Sequence, residues 1–226
     1  MKGFFITGTD TGVGKTCVTG ALAKLLSKNF QVGVFKPVQT GVQDLSRSDA
    51  FYLFKSSKYQ GSFDDTYAYS FAEPVAPFMA GEHARSPISM DIIREKYNLV
   101  RNKSEVILVE GAGGLMVPLA KGVLIADLAI ECNLPLLIVA RPDLGTVNHT
   151  LLTVHTARSL GISVCGIIIN GFNAKAICPD ISETISLIRK YGAVEVLGVI
   201  PLFDVQNMTA IIHQVSLWME EHSFHL

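Results

Sequence analysis

The 226-residue chain is poor in charge: 17% of its residues are Asp, Glu, Lys or Arg, and the formal net charge is −1. That balance gives no whole-chain field to favour nucleic acid or an anionic membrane. Cysteine is scarce as well. Cys17, Cys132, Cys165 and Cys178 are scattered, with no Cys-x-x-Cys pair. They read as reduced, mostly buried residues of a cytoplasmic protein, which excludes a disulfide frame and a thiolate metal site. The six histidines show no ligand spacing, and His149 and His155 are expected at packing or surface positions. No apolar run approaches the ~20 residues that a membrane helix needs. The first residues lead straight into a strand-like pattern, so no cleavable signal is expected. Linker-like composition and internal repeats are missing too, and the chain reads as one domain over residues 1–226.

What the chain has in quantity is apolar residues, at 49%. They fall in short runs at 30–35, 105–109, 135–140, 163–169 and 194–200, besides the run that opens the chain. Between them lie stretches of helical spacing: Val18, Leu22, Leu25 and Leu26; 48–55; 77–83; Ile93, Tyr97 and Val100; 123–132; Val147, Leu151, Val154 and Leu160; Ile181, Ile185 and Ile188. A last helix is expected from about Asn207 to Glu221. All-apolar strands alternating with helices predict an α/β fold, a parallel sheet covered by helices on both faces. Residues 57–90 carry little period apart from the short helix at 77–83. Proline cannot donate to a sheet ladder, so the second strand is expected to end at Lys36-Pro37. The fifth is expected to end at Asn170-Gly171.

One stretch carries a recognisable chemistry. The run Phe4-Phe5-Ile6 enters Thr7-Gly8-Thr9-Asp10-Thr11-Gly12-Val13-Gly14-Lys15-Thr16, and a helix opens behind it at Thr16 and Cys17. A strand, a glycine-rich turn, Gly-Lys-Thr and a helix make a phosphate-binding loop. Backbone N–H groups wrap phosphates, the lysine reaches the β/γ oxygens, and the hydroxyl holds Mg²⁺. The usual spacing is G-x-x-x-x-G-K-[ST]; here Gly8 sits one residue early, so the loop is one residue longer between its glycines.

In open parallel sheets ligands bind at the carboxyl ends of the strands. Lys15, Thr16, Lys36, Glu110 and Asn170 all follow strand-like runs, so one geometry gathers them at one edge. Glu110 caps the run Val106–Val109 and reads as the acidic partner of a phosphate-loop site, holding Mg²⁺ directly or through water, or else as a surface carboxylate. The residues after it, Gly111, Ala112, Gly113 and Gly114, let backbone approach a phosphate closely. Lys36 either neutralises charge in phosphoryl transfer, binds an anionic substrate, or is a solvated strand end. A strand-end lysine is not expected to carry core packing. Asp49 is a second metal carboxylate or a helix cap.

Together these pieces resemble the dethiobiotin synthetase family. The matches are TGTDTGVGKT (Thr7 to Thr16), KPVQTG (Lys36 to Gly41), RSDA (Arg47 to Ala50), FAEPVAP (Phe71 to Pro77), LVEGAGG (Leu108 to Gly114) and LGTVNHTLLT (Leu144 to Thr153), in the family's order. The last third matches mainly as the strand-Asn pattern 167–171 and the pair Ile200-Pro201. The resemblance implies a single-domain phosphate-loop NTPase-type fold. It implies a cyclo-ligase that joins 7,8-diaminopelargonic acid (7,8-diaminononanoate), CO₂ or bicarbonate and ATP into dethiobiotin, through a carbamate and a carbamic–phosphoric mixed anhydride. It implies Lys36 and Lys15 as catalytic residues, and Mg²⁺ on Thr16, Asp49 and Glu110. The nucleotide would lie along Gly12, Val13, Gly14, Lys15, Thr16, Cys17, Asp49, Glu110, Gly111, Ala112 and Gly113. Asn170 and Gly171 would face the adenine, with Pro201, Leu202 and Phe203 near the base. The diamine would meet Thr11, Lys36 and Thr40. The family's homodimer would bring the stretch with Gly145 and Asn148 to the substrate's tail across the interface. Some members carry an acidic residue where this chain has Gly12, and the region after Pro201 matches poorly.

Two other readings share the loop. An amidase-type synthetase would need a glutamine-hydrolysing domain, for which the chain is too short. A partition or septum-positioning ATPase would place a lysine early in the loop, and none precedes Lys15 within it. A plain nucleotide-binding module leaves Lys36 to Gly41 without a purpose.

Overall fold

A strand buried on both faces must be apolar throughout, and that is how the central strands are built. In the computed structural model, which describes residues 2–173 and 180–201, the elements in chain order begin with β1 (Lys2–Gly8), α1 (Lys15–Leu26), β2 (Val32–Gln39), α2 (Asp49–Ser57) and β3 (Tyr67–Ser70). There follow α3 (Pro77–His83), α4 (Met90–Asn102), β4 (Val106–Glu110), β5 (Pro118–Ala120), β6 (Val123–Leu124), α5 (Ile125–Cys132) and β7 (Leu136–Ala140). The last are α6 (Thr146–Ser159), β8 (Val164–Phe172), α7 (Ile181–Gly192) and β9 (Val196–Pro201). Seven strands form one sheet in the order β3-β2-β4-β1-β7-β8-β9, and every pair in it is parallel. β5 and β6 make a separate antiparallel pair.

Alternation along the strands splits the core into two layers. Phe5, Phe35, Ile107, Val109, Leu136 and Ile138 pack on one face, with Ile93, Leu128 and Val154 from helices. Phe4, Ile6, Val34, Leu108 and Val139 pack on the other, against Val18, Leu22 and Leu26 of α1 and Leu53 of α2. The chain builds outward from β1 on one side through β2, β3 and β4, then on the other through β7, β8 and β9. The strand order therefore reverses at β1, and the crevice at such a switch point is where open α/β sheets bind ligands. The glycine-rich turn after β1 lies there.

Four expectations need correction. β2 runs through Pro37 to Gln39. Its pairing with β4 stops at Phe35↔Val109, and the residues paired with β3 are Lys36, Val38 and Gln39, so the missing proline N–H interrupts no ladder bond. β8 likewise continues through Asn170-Gly171 to Phe172, still paired with β9. Val123-Leu124, expected in a helix, is extended, and α5 starts at Ile125. The irregular 57–90 stretch holds an unexpected edge strand, β3. The expected helix at 207–221 lies outside the described residues, as do Cys178, Leu202 and Phe203. Among the described residues the cysteines Cys17, Cys132 and Cys165 are free, and burial pushes the Cys132 and Cys165 thiols up to about 12. No helix among the described residues is long and apolar enough to cross a membrane.

Candidate active site

The turn between β1 and α1 needs its glycines. Gly12 and Gly14 hold φ of 75° and 89°, the left-handed region that glycine adopts without strain. Gly14 is also the N-cap of α1, and a Cβ there would stand 2.0 Å from the Asn170 amide nitrogen. Asn170 in turn donates to the Val13 carbonyl at 3.0 Å. The loop is pinned from its other side by the 111–114 segment: Gly8 N–H donates to the Gly113 carbonyl at 3.3 Å, and Gly111 N–H to Ile6 at 2.9 Å. Within the loop, the Asp10 carbonyl accepts from Lys15 Nζ at 2.9 Å. Gly14→Ala is expected to lose nucleotide binding by at least ~10-fold, from strain and from the Asn170 clash together. Asn170→Ala in that background relieves only the clash. A fluorescent-nucleotide titration of the single and double variants separates the two contributions.

Beside the loop lies a buried ionic cluster. Phe35 and Val109 are the last residues paired between β2 and β4, so Lys36 and Glu110 come next, side by side. Lys36 is 4% exposed and Glu110 0%. Lys36 Nζ lies 2.6 Å from Glu110 Oε1, 3.4 Å from Asp49 Oδ2 and 3.3 Å from the Gly111 carbonyl. Thr16 Oγ1, at the start of α1, donates to the same Glu110 oxygen at 2.8 Å. Ser48 caps α2 by accepting from Phe51 N–H, which sets Asp49 at the helix mouth facing Lys36. β1 and β2 are not neighbours, because β4 lies between them. Lys36 reaches the phosphate loop by way of Glu110.

Burial pulls the Lys36 ammonium down, but Glu110 and then Asp49 outweigh it, and the net direction is up. Lys15 goes the other way. Burial and the neighbouring Lys36 charge lower it to about 8. A polyanionic phosphate favours the charged form of Lys15. Nucleotide binding should therefore take up a proton near pH 8, and affinity should fall as pH rises through that value and Lys15 loses its charge in the free protein. Calorimetry in buffers of different ionisation enthalpy measures the uptake. A buffer-independent heat at pH 8.5 would contradict it.

Thr11, Gly12, Gly14, Lys15, Thr16, Lys36, Thr40, Asp49, Glu110, Ala112 and Gly113 line one cavity of about 280 Å³, together with Val38 and Gln39. Most of the site residues expected from the sequence thus meet in one place. Val13 and Gly111 are buried behind it. Cys17 is half-buried in the first turn of α1, and burial followed by Glu110 and Asp49 raises its thiol. Asn170 serves the back of the loop, with Gly171 after it in β8, and Pro201 is the exposed end of β9. Gly145 and Asn148, at the start of α6, line neither this cavity nor its neighbour.

That neighbour, of about 440 Å³, shares Thr11 and is walled by Asp10, Leu115, Met116, His149, Leu152 and Thr153 among others. Arg141, immediately after β7, lies 3.7 Å from Asp10 Oδ2 and 3.4 Å from His149 Nδ1. Sequence reasoning passed over Arg141 and Gln39. Arg141 follows an all-apolar run, the same signal that marked Lys36 and Glu110.

A family model described as an AAA domain matches residues 2–208. The chain is 39% identical over 219 residues to the ATP-dependent dethiobiotin synthetase BioD of Bacillus subtilis (strain 168), covering 95% of this chain and 94% of that one. It is 41% identical over 206 residues to the protein of the same name from Bacillus thuringiensis (strain Al Hakam), covering 90% and 85%. The chain belongs to the ATP-dependent dethiobiotin synthetase family. Among solved structures it is similar to the MinC:MinD cell division protein complex of Aquifex aeolicus, with a TM-score of 0.61 and 14% identity over 97% of this chain and 96% of that one. It is also similar to the septum site-determining protein MinD of Pyrococcus horikoshii OT3, complexed with Mg-ADP, with a TM-score of 0.56 and 17% identity over 97% and 89%. At such identity these two likenesses concern the fold alone, a phosphate-loop NTPase-like sheet. The family assignment rests on the synthetases.

The donor set of this family member suits a hard cation. Thr16, Asp49 and Glu110 offer only oxygen. Glu110 Oε2 is buried without a hydrogen-bond partner among the described residues, an orphaned acceptor of the kind a cation satisfies. No cluster of three or more His, Cys, Asp or Glu among the described residues could hold a metal by itself. Mg²⁺ is a hard cation of this kind, one that keeps waters and takes phosphate oxygens beside one or two carboxylates.

Proposed function

We propose that this chain closes the ureido ring of dethiobiotin from 7,8-diaminononanoate, CO₂ and ATP, as a cytoplasmic homodimer. One observation carries the reading: a phosphate loop and a second buried lysine share a cavity with two carboxylates, in a chain so similar to named synthetases over nearly its full length.

The chemistry asks for positioning and charge neutralisation more than for a strong base. One amine of the diamine adds to CO₂ and loses a proton, giving a carbamate anion. A carbamate oxygen attacks the γ-phosphorus of ATP and ADP departs. The second amine attacks the carbamoyl carbon, its proton is released, and phosphate leaves as the ring closes. The nucleophile of the phosphoryl step is already an anion, so holding it in line is the main requirement.

The backbone N–H groups of Gly12 to Cys17 cradle the nucleotide phosphates, and Lys15 leaves the Asp10 carbonyl to meet the transferred phosphoryl group. Thr16, Asp49 and Glu110 hold Mg²⁺, which when bound neutralises phosphate charge. Lys36 stabilises the carbamate and the charge that shifts toward phosphate. Thr11 and Thr40, on the open side of the cavity, orient the diamine. Asn170 and Gly171 face the adenine side. The apolar tail leaves toward the larger cavity, where Met116 and Leu152 stand 58% and 57% exposed. A second copy packed on that face brings Gly145 and Asn148 to the tail.

The test is phosphate release from Mg²⁺-ATP with and without 7,8-diaminononanoate and bicarbonate. Release that needs both, with a product of the mass of dethiobiotin, is expected. Release indifferent to the diamine would overturn the reading and favour a nucleotide switch on the same fold.

A further inference from the structure

Gln39 closes β2 three residues after Lys36 and is 3% exposed. A buried amide costs stability unless its donors and acceptor are used. Here both ends are used. Gln39 Oε1 accepts the backbone N–H of Ala50 at 3.1 Å, and Nε2 donates to Ser70 Oγ at 3.3 Å. The N–H of Ala50 can only donate, which fixes which end of the amide faces it.

Ala50 N–H belongs to the peptide unit that follows Asp49, and it is one of the first-turn donors of α2 that have no partner within the helix. Phe51 N–H, the next one, goes to the Ser48 hydroxyl. Gln39 therefore clamps the backbone of Asp49 to the strand that carries Lys36. The Asp49 side chain itself is half-exposed, and among the described residues its carboxylate has the 3.4 Å approach to Lys36 Nζ as its one ion pair. Its place in the cavity is set by where the mouth of α2 sits. The Ser70 bond extends the clamp to β3, so β2, β3 and α2 meet on one side chain.

We infer that Gln39 is a positioning residue for the metal-binding carboxylate Asp49, acting through the Ala50 amide. The inference rests on the proposed role of Asp49 in holding Mg²⁺. Partners one shell out from a metal ligand typically tune metal affinity by about 10- to 100-fold. Losing the clamp should weaken the metal and leave metal-free phosphate contacts alone, because the loop that makes those contacts is built from β1 and α1.

The experiment is binding of a non-hydrolysable ATP analogue, followed first in EDTA and then during titration with Mn²⁺. Four proteins are compared: wild type, Gln39→Met, Gln39→Glu and Asp49→Asn. Gln39→Met keeps length and removes the acceptor; it should raise the half-saturating Mn²⁺ concentration about 10-fold with metal-free affinity unchanged. Gln39→Glu keeps the acceptor and should stay near the wild-type Mn²⁺ requirement or below it. Should Gln39→Met fail to fold, Gln39→Ala is read in the same way. A Gln39→Met protein with wild-type Mn²⁺ dependence, while Asp49→Asn is impaired, overturns the positioning role alone. Equal losses with and without metal overturn it too, since they mark a purely structural residue. An Asp49→Asn protein with normal Mn²⁺ dependence overturns both the inference and the metal role it rests on.

Discussion

Lys36→Ala is expected to abolish dethiobiotin formation and also to destabilise the ligand-free protein. The second half departs from the expectation for a strand-end lysine. Lys36 is 4% exposed and stands 2.6 Å from a fully buried carboxylate. Removing one member of a buried pair leaves the other uncompensated, at a cost of about 3–5 kcal/mol. Among the described residues Glu110 would keep only the Thr16 hydroxyl as a partner. Replacing both charges by apolar groups costs less than removing one. Lys36→Met combined with Glu110→Leu should therefore unfold at higher denaturant than Lys36→Met alone, although neither makes product. Bound Mg²⁺-ATP should recover part of the loss in Lys36→Ala by neutralising Glu110. Denaturant unfolding with and without Mg²⁺-ATP, beside a product assay, checks all of this. A Lys36→Ala protein with wild-type stability and turnover would remove Lys36 from core and mechanism alike.

Glu110→Gln should be the other large effect. The amide keeps the shape, and its oxygen can still accept from Thr16 and Lys36. What it loses is charge. Lys36 then depends on the half-exposed Asp49 for its counter-charge, and a charge-assisted bond becomes an ordinary one, a difference of about 1–2 kcal/mol in stability. The proposed metal set loses its buried carboxylate, and turnover should fall by at least ~100-fold, at the upper end of what nearby metal-site changes cost. The expected pattern is a folded protein that binds nucleotide but shows almost no diamine-dependent phosphate release. Turnover within a few-fold of wild type would separate Glu110 from the metal.

Much of this was legible in the chain. The sheet announces itself because its central strands are buried on both faces and must be apolar. Lys36, Glu110 and Asn170 are recognisable because a polar residue at the end of such a run is placed at the ligand-binding edge. The pairing of Lys36 with Glu110 was not legible. The two lie 74 residues apart, and only the strand order, with β4 beside β2, brings them together. β3 escaped notice because an edge strand of four half-buried residues needs neither apolar runs nor strict alternation. Pro37 misled because its missing N–H falls beyond the last residue paired with β4. The link from Gln39 to Ala50 is a side-chain contact between elements, and no sequence pattern encodes it. The bond from the Asn170 amide to the phosphate loop was not legible either, because it depends on how closely Gly14 lets β8 approach.

The measurement that bears most directly on the central claim is the fate of a carbon dioxide oxygen. Freshly dissolved C¹⁸O₂ in unlabelled water, with 7,8-diaminononanoate and Mg²⁺-ATP, should yield phosphate carrying one ¹⁸O, because a carbamate oxygen becomes the bridge to phosphorus and leaves with it. Phosphate free of label, formed faster than carbon dioxide exchanges its oxygens with water, would mean that water attacks the nucleotide and that no carbamate is activated at this site.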